Sequence, residues 1–334
     1  MWRNVRYLYR RVQWVIPFFR IYKSDSVFET TFFSSVLLPL SLAFVMLGMG
    51  LSLTRKDFAN IFTRPKAMIT GLAAQMLFLP LLAFLIALPF NVPPVLKVGL
   101  VLVAICPGGA TSNLLNYLLN GNLALCVSMT TINSFLTQFT IPLLLTLALQ
   151  FFMHTGAHIE LDFWRTFFDI VLTTLVPVVI GIAIRAVHGP FAEKVRAPMK
   201  MMMPAVMAIA ILGAILLEKK DNGIELSTYD YMTVLPMTLL LNVGALTGGY
   251  YIARLTGLSR KSQMTIALEV GLHNTFLAIY IATGILKDTS LAIPATVYAL
   301  FSFFTSALFG VIVSGEKLSL KSIVTGKKEK RIRK

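Results

Sequence analysis

The chain has 334 residues, 56% of them hydrophobic and 13% charged, with a mean hydropathy of +0.76 and a net charge of +15. Soluble proteins carry roughly 25% Asp, Glu, Lys and Arg, so a soluble enzyme, a disordered tail and a small disulfide scaffold are all excluded. What remains is a polytopic membrane protein, in which lipid surrounds the apolar side chains.

The first segment, residues 1–33, is basic, with Arg3, Arg6, Arg10, Arg11, Arg20 and Lys23. No compact apolar run with a small-residue cleavage site follows it, so no signal peptide is expected. Arg20, Lys23, Asp25 and Glu29 interrupt the stretch 13–33. It is therefore expected either to lie in the interface, with Trp2, Trp14, Phe18 and Phe19 in the headgroup layer, or to be a degenerate first helix.

A bilayer core takes about 20 apolar residues per helix. Nine spans meet that need, at 34–53, 67–90, 95–119, 123–152, 166–188, 198–217, 231–255, 263–286 and 290–313. Short separators such as Asn91-Val92-Pro93-Pro94 and Asn120-Gly121-Asn122 divide them. No β-barrel alternation is visible, so the fold class is an all-α bundle. Cys106 and Cys126 both sit within apolar stretches, and no disulfide framework is expected.

Basic residues set the orientation. One set of loops and the tail 314–334 carry 19 Lys and Arg, against 5 on the opposite side. The positive-inside rule then places the C-terminus in the cytoplasm of a cell that holds this chain in its inner (plasma) membrane. The tail reads as a solvated terminus or a patch for anionic lipid. Nucleic-acid binding is not expected, because no aromatic-interleaved module accompanies the charge.

Polarity enters the membrane in two places. The first is Cys106-Pro107-Gly108-Gly109-Ala110-Thr111-Ser112-Asn113, in the middle of a span. Pro-Gly-Gly interrupts the helical hydrogen-bond ladder, and the freed backbone groups must then face a protein cavity rather than lipid. The second is Glu269, within Ala267-Leu268-Glu269-Val270-Gly271-Leu272-His273-Asn274. An ionisable group at membrane depth usually marks a substrate or ion path; the alternative is a protonated Glu bonded to a neighbouring helix. Gln75, and Cys126 with Thr130 on one face of their span, could equally be interhelical hydrogen bonds. Together with Ser112, Asn113 and Glu269 they offer oxygen donors suited to a hard cation.

The loop 153–165 divides the chain into two halves, 34–152 and 166–313, each with one broken span followed by one more. The halves correspond if the first has lost or degraded its opening helix. Paired interrupted helices at matching positions point to a transporter site at a repeat interface.

At these residues the chain resembles the bile acid:sodium symporter family. The matching blocks are Gly48-Met49-Gly50-Leu51, the 106–113 block with Gly121-Asn122-Leu123-Ala124-Leu125 after it, and Glu269-Val270-Gly271. The resemblance implies nine or ten helices in two inverted five-helix repeats, a panel and a core domain, and broken helices that cross in the core. It further implies a first sodium site at Ser112, Asn113, Cys126, Thr130 and Glu269. A second would use Gln75, Glu269, His273 and the carbonyls of Val270 and Leu272. Thr111, Asn274 and Ser302 are expected to face the substrate.

Two residues depart from the family pattern. Cys126 replaces a hydroxyl, and His273 replaces an amide, so proton coupling is the alternative to sodium. Ser302 and Phe303 stand where bile-acid-transporting relatives have a His-Asn pair, which favours a smaller anion of the pyruvate, pantothenate or ketopantoate type. No cofactor is expected, and no metalloprotease or Asp-rich transferase motif supports an intramembrane enzyme. A channel is disfavoured by the repeat pattern. The function expected is sodium-coupled symport of a small organic anion by alternating access.

Overall fold

The computed structural model describes residues 37–53, 65–153, 163–195 and 228–315, with a few isolated positions between 198 and 209. The basic segment 1–33, most of the expected span 198–217 and the tail 316–334 lie outside the described residues.

Among the described residues a short helix at 189–195 accompanies ten other helical segments, taken in chain order. They are α1 (Leu38–Ser52), α2 (Pro65–Ala87), α3 (Pro94–Ile105), α4 (Ala110–Leu118), α5 (Leu123–Met153), α6 (163–187), α7 (Thr228–Leu255), α8 (Arg260–Gly271), α9 (Thr275–Ile285) and α10 (Ile293–Ser314). No strand occurs among the described residues. Five helices are long and apolar enough to cross a membrane: Pro65–Ala87, Leu123–Met153, Phe167–Val187, Met232–Leu255 and Ser290–Ser314. The protein is an all-α polytopic membrane protein, and its expected spans 95–119 and 263–286 are each split in two.

The outward faces explain why lipid suits this bundle. Leu77, Leu81 and Leu85 on α2 are exposed at every fourth position. Phe135, Phe139, Leu143, Leu147 and Phe151 make the same row on α5, and Leu300, Phe304, Leu308 and Ile312 make it on α10. Spacing of four keeps each row on one helix face; in water such rows would be a large exposed apolar surface. The opposite face of α5 is buried and polar near its start, through Cys126, Thr130, Asn133 and Thr137.

Prolines shape two of the long helices in the same way. α2 widens to a π turn over Ala74–Phe78 just before Pro80, and α6 does so over Val171–Leu175 just before Pro177. Proline brings no N–H and its ring crowds the carbonyl four residues back, so a wider turn accommodates it. Buried Gln75 lies inside the first π turn, and buried Thr173 and Thr174 lie inside the second.

α1 and α6 form a tightly packed pair. A Cβ on Gly50 would strike the backbone of Val178, and one on Gly181 would strike α1 near Leu47 and Leu51. Small residues let two membrane helices approach closely, which replaces the missing hydrophobic drive with dispersion contacts. α3 is buried from Val98 through Ile105 and forms the centre of the remaining bundle.

Candidate functional site

The two breaks meet. Between α3 and α4 the chain is extended at Cys106 and again at Gly109. Between α8 and α9 it is extended at Leu272, and Asn274 caps α9 by accepting the Leu277 N–H at 3.1 Å. Gly108 and His273 form an antiparallel bridge, and the Asn274 N–H donates to the Pro107 carbonyl at 2.7 Å. In an unbroken helix that N–H would bond to the Val270 carbonyl, so the crossing frees one carbonyl beside Glu269. The Gly271 carbonyl is taken instead by the Tyr298 hydroxyl at 2.8 Å and the Asn242 amide at 2.9 Å.

Glu269 is fully buried at this crossing. The Thr130 hydroxyl donates to its Oε1, and the Cys126 thiol donates to its Oε2 at 3.1 Å. Ser112 lies 4.0 Å from the Cys126 sulfur and donates to the Gly109 carbonyl at 2.8 Å. Gly108 presses on the carboxylate so closely that any Cβ there would collide with it; glycine is the residue the crossing admits. Among the described residues Glu269 has no basic partner, and the ion pair found is Arg185–Glu193 at the end of α6.

A polar layer supports the carboxylate from below. Asn116 donates to the Ser112 carbonyl at 3.0 Å and to the Cys126 sulfur at 3.2 Å, and it accepts from the Thr265 hydroxyl at 2.7 Å. Thr265 in turn accepts the Asn122 N–H at 2.8 Å. α4 and α5, which are neighbours in sequence, are thus fastened by side chains to α8, 149 residues beyond Asn116 at Thr265.

Of the residues expected from sequence, Ser112, Cys126, Thr130 and Glu269 converge on one point. Asn113 is half-buried beside them, with its amide oxygen unbonded among the described residues. Gln75 and His273 are buried, and none of their side-chain N or O atoms has a hydrogen-bond partner among the described residues. Val270 and Leu272 are buried at the second break. Thr111 is exposed; its hydroxyl and the Asn274 Cα both lie near Gly109, 3.8 and 3.9 Å from where a Cβ would stand. Ser302 is buried on α10, and its carbonyl accepts from Thr305, which also bonds to Asn242.

A model of the sodium bile acid symporter family matches residues 39–222. The chain belongs to this family. It is similar to an uncharacterized sodium-dependent transporter of Bacillus subtilis, 30% identical over 292 residues, which are 86% of this chain and 85% of that one. It is 31% identical over 273 residues to a probable chloroplast sodium/metabolite cotransporter of Arabidopsis thaliana, covering 81% of this chain but 65% of the relative's own length. The human ileal sodium/bile acid cotransporter is 28% identical over 283 residues, with 82% of this chain and 78% of that one covered.

Family membership draws attention to a cavity of about 290 Å³ between the α1–α6 pair and α5. Met46, Met49, Ile132, Phe135 and Val178 make its wall almost wholly apolar, and the bordering Thr131, Ser134, Gln138 and Thr174 turn little polar surface into it. Gln138 accepts from Thr174 at 3.1 Å across the gap. Sequence reasoning passed over Asn116, Asn133, Gln138, Asn242, Thr265 and Tyr298. An isolated amide inside an apolar span was the available signal for the four Asn and Gln residues.

Proposed function

We propose that this protein is a sodium-coupled symporter of a small organic anion, working by alternating access. One observation carries the proposal: Glu269 is a buried carboxylate at the crossing of two broken helices, bonded by a hydroxyl and a thiol and without a basic partner among the described residues. A buried, uncompensated charge costs several kcal/mol, and a bound cation offsets that cost. Ser112, Asn113, Cys126, Thr130 and Glu269 would hold one sodium; Gln75, Glu269, His273 and the Val270 and Leu272 carbonyls would surround another. A hard cation favours such oxygens.

The substrate would lie on the other side of the crossing, where Thr111, Asn274 and Ser302 are assigned to it. The Thr275 and Leu277 N–H groups at the start of α9 are bonded to the His273 carbonyl and the Asn274 side chain, so the positive dipole end of the helix is what would favour a carboxylate there. The cavity beside α5 is lined by none of Thr111, Asn274 and Ser302 and lies in the gap between the α1–α6 pair and the rest of the bundle. We assign 34–152 and 166–313 to two inverted repeats, the α1–α6 pair to a panel, and the C-terminus to the cytoplasm. Cation binding would neutralise Glu269 and fix the crossing, and the neutral core could then move against the panel.

Uptake into proteoliposomes under a sodium gradient, screened across short organic acids, tests the proposal. Sodium-dependent uptake that disappears in Glu269→Ala is the expected outcome. Full sodium-dependent uptake in that variant would refute the assignment of Glu269. Uptake that follows a pH gradient and ignores sodium would replace sodium with a proton.

A further inference from the structure

Asn133 lies on α5 one turn beyond Thr130 and is 1% exposed, yet neither its amide nitrogen nor its oxygen finds a hydrogen-bond partner among the described residues. Gln75, 3% exposed in the π turn of α2, is in the same condition. Native structures almost always satisfy buried amides, and one left over calls for a ligand, an ion or a water.

The two amides are brought to the same level. A Cβ on Gly71 of α2 would meet the Met129 thioether of α5 and stand 3.4 Å from Ile266 of α8. α2 and α5 run the same way, since the contact from Gly71 to Met129 is followed by Phe84 against Phe152. α5 and α8 also run the same way, since Asn122 bonds to Ser262 and Thr130 bonds to Glu269. One turn beyond Gly71, Met129 and Ile266, the three helices present Gln75, Asn133 and Val270. Around α5, Asn133 falls between Met129, which meets α2, and Cys126, which meets Glu269. It therefore points toward the junction of Gln75, Glu269 and the freed Val270 carbonyl.

We propose that Asn133 is a ligand of the second cation site, its amide oxygen supplying the donor that the His273 imidazole cannot. This rests on Gln75, Glu269 and Val270 forming a cation site at all. A hard cation takes neutral amide and carbonyl oxygens readily and imidazole nitrogen poorly. Asn133 and Gln75 would approach the ion from two helices, with the second break opposite them. Each amide then has its oxygen satisfied by the ion, and the ion gains the ligand that His273 withholds.

The test is a sodium titration of the melting temperature of the full chain, purified in detergent, with potassium holding the ionic strength constant. Asn133→Leu keeps the volume and removes the oxygen. It should raise the half-saturating sodium concentration by about tenfold or more. Combined with Gln75→Leu it should cost no more than Gln75→Leu alone, because the two amides share one ion. His273→Gln in the Asn133→Leu background should bring the half-saturation point back by returning an amide oxygen. Should the leucine variant not fold, Asn133→Ala decides by the same titration. An unchanged sodium titration in the Asn133 variant, with the response lost in Glu269→Gln, would overturn the role of Asn133 and leave the transporter assignment standing. No sodium-specific shift in the unmodified protein would overturn both.

Discussion

Cys126 is the residue at which this chain's chemistry is most its own. Its thiol occupies a position between Glu269 at 3.1 Å and the Asn116 amide at 3.2 Å, where a hydroxyl would offer a hard oxygen. Sulfur is a soft donor and a poor partner for sodium. Cys126→Ser should therefore lower the half-saturating sodium concentration several-fold in the same melting titration, with the fold unchanged. A variant that binds sodium no better would mean that position 126 only packs. Ser112 and Glu269 were legible in the sequence as a polar residue beside a break and an acid inside an apolar span, whereas Cys126 and Thr130 came to the site through the family resemblance. Asn133 went unread, since an amide one turn from a candidate ligand differs from an ordinary interhelical hydrogen bond only once its partners, or their absence, are known.

At the scale of the element, the crossing depends on two breaks that fit each other. Pro107 cannot donate and offers its carbonyl to Asn274, while Gly108 leaves no room for a side chain against Glu269. Overpacking a tight interior costs about 1–3 kcal/mol, so Gly108→Ala should lower the thermal stability by that order. It should also abolish sodium-dependent uptake, because the displaced carboxylate is the proposed cation ligand. Near-native stability together with full uptake would show that the crossing is looser than its contacts imply. Asn242, Tyr298 and Thr305 hold the Gly271 carbonyl side of the second break from α7 and α10. No spacing rule in the sequence ties those three residues to residue 271.

For the molecule as a whole, cation binding to the folded state should appear as stability. With an assumed dissociation constant of about 10 mM, 100 mM sodium would add roughly 1.4 kcal/mol. The cavity beside α5 is separate from the ring of groups around Glu269, so the two can be perturbed apart. Ile132→Trp should fill the gap between the proposed panel and α5 and slow uptake of the organic anion by hindering their relative motion, yet leave the sodium-specific shift in melting temperature intact. Loss of both together would place the cavity and the cation groups in one site. Uptake at the normal rate would show that this gap takes no part in the motion.

The sequence by itself determined the membrane class, the long apolar helices, the two interrupted spans and the family, because hydropathy, Pro-Gly-Gly and an acid at membrane depth are local signals. Lipid leaves every spanning backbone group to be satisfied within the chain, so the places where a helix cannot continue are written in its residues. Tertiary structure alone decided what those breaks do to each other. Gly108 meets His273 and Thr130 meets Glu269 across separations of 165 and 139 residues, and the level at which Gln75 and Asn133 stand follows from how three helices pack. Such contacts depend on helix direction, tilt and close approach, which no periodicity along one chain encodes.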